Sequence, residues 1–584
     1  TALWITALSA LCAVAQTSTC QSGVIPSGTG EALEVVGACH VPEGTYRFSQ
    51  VNIFNGGSLS FADAAIEFWA QAILVEKGST LTAGSAAHPI GQQGGRLTIH
   101  LYGADQGTAG AGIRCKTDDR CGVDPDTWNS NGNEKVTLPG GVTDYFYAYQ
   151  PMMYDAGDAH AYFGQKSIGV SYGGTLSLYG AKGSTFGEAA DSSSGASWVR
   201  PNKTTAPGAT QLVLDRIVDW QAGDEIVVTT TDYLPGHSEQ VTIDSVTTSG
   251  AYTVITLKQG LRFPHNGELL DLSSVPAGIG PDNKLAETRA AVALLTRSIR
   301  IVSAGDQLGD DFPAESTGYY FGGHTVIRQG AQAVQVQGVE FYQLGQGGRM
   351  GHYPIHFHLA RRVPADTMIA DCSIHDSMTR WITLHATQGV TLRRNVGYKS
   401  IGHGYYLEDG TEIDNGFFSN IGILARGAVD NSQNPRKIPG ILAKPYPPFS
   451  ETQEAVPFHS DIDHPAVFWI TNGYNDFAYN MAAGAGTCGA CYWLVPTANS
   501  GMSRMQKWDS YANMQQGSDR ASMTPLKRFE GNYCTTAMTS FQTVGNTTAC
   551  SGVTNGDPVA NSPQLKPVTN PYPIEDDDMY YPKV

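Results

Sequence analysis

The sequence predicts an all-β protein whose central part is a parallel β-solenoid, and two observations carry this prediction. First, the 584 residues include 67 Gly and 30 Pro but only 16% charged residues, a composition typical of many short strands joined by tight turns. Second, strand-like segments recur at intervals expected for one coil of a three-sided solenoid. Ile355, Ile382 and Tyr405 open three such segments, offset by 27 and then 23 residues.

Composition and spacing divide the chain into six regions. The amino-terminal half contains alternating, Gly-punctuated segments such as AILVEKGSTLTAG and GRLTIHLYG, which have the period of half-buried strands. The regions are a signal-like apolar segment (1–16), a Gly-rich β region (17–104), a decorated loop insertion (105–164), a β region continuing the solenoid (165–303), the regular repeats (304–495, with an excursion at 426–465) and a disulfide-containing extension with an acidic tail (496–584).

Several features indicate an extracellular protein. Residues 1–16 resemble a secretory signal and are short for a bilayer span, although a buried strand or helix is the alternative. Asn202 and Asn546 lie in glycosylation sequences. The formal net charge of −17 excludes a nucleic-acid partner, because phosphates demand a basic surface.

Eight cysteines lie in close pairs along the sequence, which favours disulfides in an oxidising compartment. The predicted bonds are Cys20–Cys39, Cys115–Cys121, Cys488–Cys491 and Cys534–Cys550. Cys488 and Cys491 also fit a redox or metal-binding pair. Cys372 has no nearby cysteine in the sequence, and we expect it in the core.

Strand alternation predicts which side chains leave the core. If Ile355/Phe357, Ile382/Leu384 and Tyr405/Leu407 point inward, the intervening residues face the opposite side. Those residues include His356, His358, His385 and Glu408. Neighbouring rungs lie about 4.8 Å apart, so these side chains can reach one ion.

A second alignment concerns another side of the solenoid. Segments 336–345, 369–378 and 393–402 place Val339 and Phe341 over Cys372 and Ile374, and these over Val396 and Tyr398. The alignment predicts one continuous apolar column.

The segments SWVRPN, LDRIVDWQAGDEIVVTTTDY, ETRAAVALLTRSIRI, YPIHFHL, SIHD and LEDG, spread between about Val24 and Val495, carry a family resemblance. The chain resembles the family of the cell-migration-inducing and hyaluronan-binding protein and the transmembrane cell-surface hyaluronidase, and more distantly fibrocystin. The Gly-punctuated region resembles the G-eight (G8) domain. The resemblance implies a secreted right-handed parallel β-helix that binds and depolymerises hyaluronan or a similar glycan.

The His-rich stretch suggests a metal or acid/base site. Neutral imidazoles with a carboxylate are typical ligands of zinc or manganese rather than calcium, so His356, His358, His385 and Glu408 are the predicted metal ligands. The alternative is a hydrogen-bonded His ladder without metal. The predicted catalytic groups are His403, Glu408, Asp409 and Asp376.

The sequence is compatible with more than one reaction and more than one kind of partner. Hydrolysis needs two carboxyl groups, whereas a lyase needs a cation for the uronate and a base. Four arginines are predicted to hold a uronic-acid chain: Arg361, Arg362, Arg393 and Arg394. We favour a glycoside hydrolase or polysaccharide lyase acting on an extracellular polysaccharide. The alternative is a non-catalytic matrix protein or filament subunit that forms homo-oligomers.

Overall fold

The computed structural model describes the greater part of the chain. The described residues are 17–106, 112–117, 133–137, 143–147, 163–189, 195–276, 284–313, 319–347, 349, 351–408, 410–427, 465–486, 489–495 and 525–543. The predicted signal-like segment 1–16, Asp409 and Asn546 lie outside these ranges.

The described residues form β-strands and one short 3-10 helix, Pro235–His237. From the amino-terminal end the strands are β1 (Thr17–Val24), β2 (Ala32–Val41), β3 (Gly44–Arg47), β4 (Gln50–Ile53), β5 (Ser58–Phe61), β6 (Ala65–Ala70), β7 (Ala72–Val75), β8 (Thr80–Ala83), β9 (Arg96–Leu101), β10 (Asn133–Thr137), β11 (Thr143–Tyr147), β12 (Ser167–Val170) and β13 (Thr175–Tyr179). The next group is β14 (Trp198–Val199), β15 (Gln211–Leu214), β16 (Glu225–Val228), β17 (Glu239–Ser249), β18 (Tyr252–Leu257), β19 (Leu270–Asp271), β20 (Leu285–Ala286) and β21 (Val292–Leu294).

The remaining strands follow at short intervals. They are β22 (Ile299–Ser303), β23 (His324–Arg328), β24 (Ala333–Gln337), β25 (Val339–Tyr342), β26 (Ile355–Arg362), β27 (Met368–Ala370), β28 (Ser373–His375), β29 (Ile382–Gln388), β30 (Thr391–Arg393), β31 (Val396–Ile401), β32 (Tyr405–Leu407), β33 (Gly416–Phe418), β34 (Ile421–Arg426), β35 (Ala466–Ile470), β36 (Asp476–Ala478), β37 (Met481–Ala485), β38 (Ala490–Leu494), β39 (Arg528–Glu530), β40 (Tyr533–Thr535) and β41 (Thr539–Thr543).

Parallel pairing arranges most of these strands in three stacks, which confirms the predicted parallel β-helix. The first stack is β4, β7, β12, β23, β26, β29, β32, β35, β38 and β41. The second stack is β5, β8, β13, β24, β27, β30, β33, β36 and β39. The third stack is β3, β6, β9, β22, β25, β28, β31, β34, β37 and β40.

The core of the β-helix lies between the three stacks. In the first stack Phe357 lies opposite Leu384, which lies opposite Leu407, and all three side chains are buried in one apolar cluster. The predicted inward ladder and its offsets are therefore confirmed. Further along the same stack, the rings of Tyr405, Phe468 and Tyr492 are stacked at centroid distances of 4.8 Å.

The second predicted alignment is correct between β25 and β28 but wrong between β28 and β31. Phe341 lies opposite Ile374 as predicted, but Ile374 lies opposite Gly397 rather than Tyr398. A Cβ on Gly397 would lie 2.3 Å from the Trp381 ring, so the indole occupies the space that a side chain would need. Since a shift of one residue exchanges the two faces of a strand, Tyr398 faces outward.

Residues 198–294 correct the prediction that the region 165–303 continues the solenoid throughout. The strands β14, β21, β16, β17, β18 and β15 form an antiparallel sheet with its own apolar core around Trp220 and Ile226. The outward-facing Tyr398 packs in a cluster with Val227 of this sheet, so the sheet docks on the third stack. Among the described residues of this region, only β12, β13 and β22 belong to the solenoid.

The carboxyl-terminal boundary of the repeats also differs from the prediction. The strands β39, β40 and β41 pair in parallel with β36, β37 and β38, so another coil of the β-helix follows the predicted end at residue 495. Residues 528–543 therefore belong to the repeats and not to a separate extension.

The disulfides agree only in part with the predicted pairs. Cys20–Cys39 is confirmed. Cys491 pairs with Cys534 instead of Cys488, because both side chains point into the last coils, where their Cα atoms are 5.8 Å apart. Cys115 is disulfide-bonded, while Cys121, Cys488 and Cys550 lie outside the described ranges. Cys372 is a buried free thiol, as predicted.

Asparagine ladders, which the sequence analysis missed, tie consecutive coils together. Asn395 Nδ2 donates to Asn420 Oδ1 at 2.9 Å, and Asn420 Nδ2 donates to Asn480 Oδ1 at 3.1 Å. Asn480 Nδ2 continues the row by donating to Asn532 Oδ1 at 2.9 Å. Each bond satisfies buried amide groups at a turn between strands. The ladder therefore fixes the spacing of the coils.

In the part of the chain that the structure describes, no helix has the length and apolarity needed to cross a bilayer. Asn202, one predicted glycosylation site, is half-buried and stays a prediction.

Candidate metal centre on the first stack

Three neighbouring strands of the first stack bring the predicted ligands together. His356 and His358 lie on β26, and His358 is directly opposite His385 on β29. Glu408 follows β32, and its backbone N–H donates to the Leu384 carbonyl oxygen at 3.0 Å. Because Leu384 and Leu407 point inward, the side chains that follow them point to the other face. The parallel register alone thus places His385 and Glu408 side by side.

The side chains of these residues lie close together. The ligating atoms of His356, His358 and His385 all lie within 4.8 Å of one another. Glu408 Oε2 lies 4.0 Å from His356 Nε2 and 3.7 Å from His385 Nδ1. We refer to these four residues as the histidine cluster. Its donor set, three imidazoles and one carboxylate, suits zinc or manganese.

The tautomer of His356 is fixed by a backbone contact. His356 Nδ1 lies 2.8 Å from the Gly351 carbonyl oxygen, which accepts a hydrogen bond and so requires the proton on Nδ1. The lone pair of His356 is therefore on Nε2, on the side of Glu408. Such a contact is the usual way to orient a metal-binding imidazole.

Buried polar atoms of His356 and Glu408 lack the hydrogen bonds that usually offset the cost of burial. Among the described residues, His356 Nε2 and Glu408 Oε2 are buried and have no hydrogen-bond partner. An unpaired buried polar group costs about 1–3 kcal/mol. A cation bound between the two atoms would remove this cost, so the residues present fit a metal ion.

The cluster is buried, whereas the sequence analysis predicted an outer surface. The face does point away from the core, but His356 is 0% exposed, His358 9% and His385 8%. Burial, followed by the neighbouring imidazoles, lowers the pKa of His356 and His358 well below the ordinary value. Both rings are therefore neutral near pH 7, which is the form that binds metals.

Two arginines near the cluster were missed by the sequence analysis. Arg380 Nη1 donates to Tyr353 Oη at 3.0 Å, and its guanidinium lies 3.4 Å from the centre of the Tyr406 ring. Arg328 lies opposite His358 on the adjacent strand β23. Both are buried. Arg328 could have been found from the sequence, because strand alternation places it on the same face of β23 as His324.

Two further imidazoles adjoin the cluster. The rings of His324 and His352 are 4.6 Å apart, and a Cβ on Gly164 would lie 3.0 Å from His324 Nε2 and 3.6 Å from His352 Nε2. Glycine at this position leaves room for both rings. The imidazole-rich region is thus larger than predicted.

Two of the other predicted catalytic residues, His403 and Asp376, do not join the cluster. His403 is buried behind Tyr406, at a ring distance of 5.5 Å, and its Nδ1 accepts the Ala466 N–H at 2.9 Å. Asp376 follows β28 in the third stack, where it contacts His375 Nδ1 at 2.8 Å. Asp376 therefore belongs to a different side of the β-helix. Asp409 lies outside the described residues.

The four predicted arginines do not form one exposed surface, because their side chains are engaged or buried. Arg361 is 0% exposed, and Arg362 lies 3.4 Å from Asp414. Arg393 donates to the carbonyl oxygens of residues 188 and 189 at 2.9 Å. Arg394 makes a two-pronged ion pair with Asp371 at 2.7 Å. These contacts hold loops to the β-helix and leave no exposed basic patch for a uronate.

Comparison with known families supports the resemblance found in the sequence. Residues 34–118 match the model of the G8 domain, and residues 320–541 match the model named CEMIP beta-helix. The second match contains the whole histidine cluster and extends into β41.

Known proteins show the same similarity. Human "Cell surface hyaluronidase CEMIP2" is 31% identical over 307 residues, which is 49% of this chain and 20% of that protein. A G8 domain-containing protein of Dictyostelium discoideum is 31% identical over 330 residues, or 55% of this chain and 18% of that protein. Mouse fibrocystin-L is 26% identical over 470 residues, or 75% of this chain and 9% of that protein.

The chain spans between 18% and 30% of the length of the first curated relatives it matches. Both family models nevertheless occur in the same order as the G8-like region and the repeats predicted from the sequence. The chain therefore carries, in this order, a region similar to the G8 domain and a region similar to the CEMIP-type β-helix.

Proposed function

We propose that this protein acts outside the cell or at its surface, binds a polysaccharide and depolymerises it at the histidine cluster with the help of one divalent transition metal. The observation that carries the proposal is the convergence of His356, His358, His385 and Glu408 from three consecutive strands. The relatives named cell surface hyaluronidases support a glycan as the substrate class.

In the proposal each group of the cluster has a distinct task. The three imidazoles and Glu408 would hold the ion, and the Gly351 carbonyl fixes the His356 tautomer that leaves Nε2 free of a proton. Such an ion would supply polarisation of a substrate oxygen or a lowered pKa of a water. The guanidinium groups of Arg328 and Arg380 add positive charge beside the cluster and stabilise negative charge on the substrate.

Two reaction classes are compatible with this arrangement. Hydrolysis by an ordinary glycosidase needs two carboxyl groups, and among the predicted carboxylates that the structure describes Glu408 alone lies at the cluster. A lyase instead needs cations that neutralise a uronate carboxylate and a base that removes the proton at C5. The charges of Arg328 and Arg380 favour an anionic sugar unit at this position in either case.

The test combines metal analysis with polysaccharide degradation. Purified protein is expected to contain about one equivalent of zinc or manganese, and the His358→Ala/His385→Ala variant is expected to contain none. Wild type should shorten hyaluronan or another uronic-acid polymer, with the variant inactive. The ultraviolet absorbance of an unsaturated product identifies a lyase, whereas new reducing ends without that absorbance identify a hydrolase.

The exposed His40 provides a matched control, since it lies near the amino-terminal end of the β-helix and outside the cluster. His40→Ala should retain both the metal and the activity. Wild-type protein without metal and without activity on uronic-acid or neutral polysaccharides would refute the proposal. That outcome would favour the non-catalytic matrix or filament alternative.

A further inference from the structure

A polar cleft lies on the same side of the β-helix as the histidine cluster, closer to the amino-terminal end. Its cavity of about 70 Å³ is lined in part by Gln50 and Ala72 of the first stack. The register places Gln50, Ala72, Ser167 and His324 in one column across successive strands. Since β7 lies three rungs before β26, the cleft is about 14 Å from the cluster along the stack.

Amides are the commonest side chains of the cleft. Gln50, Gln71, Gln106 and Gln165 all line it. Gln165 is 8% exposed, and its Oε1 accepts the backbone N–H of Gln106 at 3.1 Å. Within the described part of the chain, Gln165 Nε2 is buried and has no hydrogen-bond partner. A buried amide donor of this kind requires an acceptor from a ligand or a water.

The charged groups near the cleft are already engaged. Lys166 lines it, but its Nζ donates to the carbonyl oxygens of Ala304 at 2.7 Å and Phe321 at 3.0 Å. The carboxylate of Asp105 is paired with Arg349 at 2.6 Å. Among the described residues, a carboxylate in the cleft would therefore find no available cation, whereas hydroxyl and amide groups match the glutamine donors and acceptors.

We propose that this cleft is a subsite for a neutral sugar unit bearing hydroxyl or acetamido groups. The inference rests on the proposed function, because the unit belongs to the same glycan chain that the histidine cluster acts on. A chain lying along the first stack places a neutral unit in the cleft and another unit about three rungs away at the cluster.

Calorimetric titration with neutral trisaccharides tests the subsite without relying on catalysis. The probes are triacetylchitotriose and cellotriose, with trigalacturonate as the anionic comparison. Wild type should bind at least one neutral probe more tightly than trigalacturonate. Gln71→Ala/Gln165→Ala should weaken that binding roughly tenfold, because two hydrogen bonds of about 0.5–1.5 kcal/mol each are lost.

Two controls separate the subsite from the cluster. Gln93→Ala changes an exposed glutamine outside the cleft and should leave binding unchanged. His358→Ala/His385→Ala should also bind the neutral probe normally, so failure of the proposed catalytic site does not affect this measurement. Gln71→Ala alone, at a half-buried position, replaces the double variant if the latter unfolds at a lower temperature than wild type.

Three results would overturn the subsite. They are no binding of either neutral trisaccharide by wild type, equal binding by wild type and the Gln71 variants, and preferential binding of trigalacturonate. In each case the cleft would hold water only.

Discussion

His358 on β26 lies directly opposite His385 on β29, with the two ring centres 5.2 Å apart and the rings inclined by 72°. The pair exists because two coils of the β-helix stack in a fixed register. A change of that register by one residue would send one of the two imidazoles into the core. The site therefore depends on the contacts that hold neighbouring coils together as much as on its own side chains.

Replacing Glu408 by Gln tests the carboxylate of the cluster. Glu408→Gln should weaken zinc binding by about 10- to 100-fold or more, since loss of even an outer partner of a metal site costs that much. The apo protein should be as stable as wild type, because the substitution removes a buried charged oxygen that has no hydrogen bond among the described residues. Calorimetric titration with Zn²⁺ and thermal unfolding measure the two effects.

The exposed Glu43 is the matched control for that experiment. Glu43→Gln should change neither zinc affinity nor stability. Unchanged zinc affinity in Glu408→Gln would show that Glu408 is not a ligand.

Removal of one ladder asparagine should destabilise the β-helix strongly. Asn420 Oδ1 accepts hydrogen bonds from the backbone and side chain of Asn395, and its Nδ2 donates to Leu392 O and Asn480 Oδ1. At about 0.5–1.5 kcal/mol for each of the four bonds, Asn420→Ala should lower the free energy of unfolding by about 2–6 kcal/mol. Urea unfolding measures the change, and Gln92→Ala at an exposed position should be neutral. A loss below about 1 kcal/mol would contradict a stabilising ladder.

The stability of the protein should depend on the protonation of His375 in the third stack. Burial favours the neutral ring, but the contacts with Asp376 at 2.8 Å and Glu340 at 3.5 Å outweigh it and raise the pKa of His375. Arg300 and Lys399 approach the same two carboxylates and limit the shift. The folded state thus binds this proton more tightly than the unfolded state does.

A raised pKa stabilises the protein fully below the unfolded value of about 6.5, and the contribution is lost as pH rises through the folded value. The free energy of unfolding of wild type relative to His375→Gln should therefore fall between about pH 6 and pH 8, by at most about 1.4 kcal/mol per pH unit. His40→Gln is the control. An identical pH dependence in wild type and His375→Gln would contradict the prediction.

The Cys491–Cys534 bond should be a major stabiliser of the last coil. It closes a loop with a sequence separation of 43 residues, and a loop of that size is worth about 4 kcal/mol in the chain-entropy account. Cys534→Ser should release β39 to β41 and make them accessible to protease before the rest of the β-helix unfolds. Peptide mapping without reductant checks the pairing, and recovery of Cys491 linked to Cys488 would refute it.

The candidate site was largely predictable, because it depends on alternation within strands and on short offsets between them. Phe357, Leu384 and Leu407 mark the inward positions, so the positions of His358, His385 and Glu408 follow directly. The roles of Arg394 and Asp376 were not predictable in the same way. Arg394 is buried against Asp371, and Asp376 lies on another stack, and both placements depend on turns whose path alternation does not specify.

By itself the sequence determined the all-β class, the inward ladder of the first stack and the shared face of His356, His358, His385 and Glu408, since each follows from a period of two within a strand. Only the tertiary structure decided the one-residue shift at Gly397, the Cys491–Cys534 pairing and the docking of the antiparallel sheet on Tyr398. These features depend on which distant side chains compete for the same space, as Trp381 does at Gly397. Local patterns specify a face of a strand, whereas packing between coils selects the register.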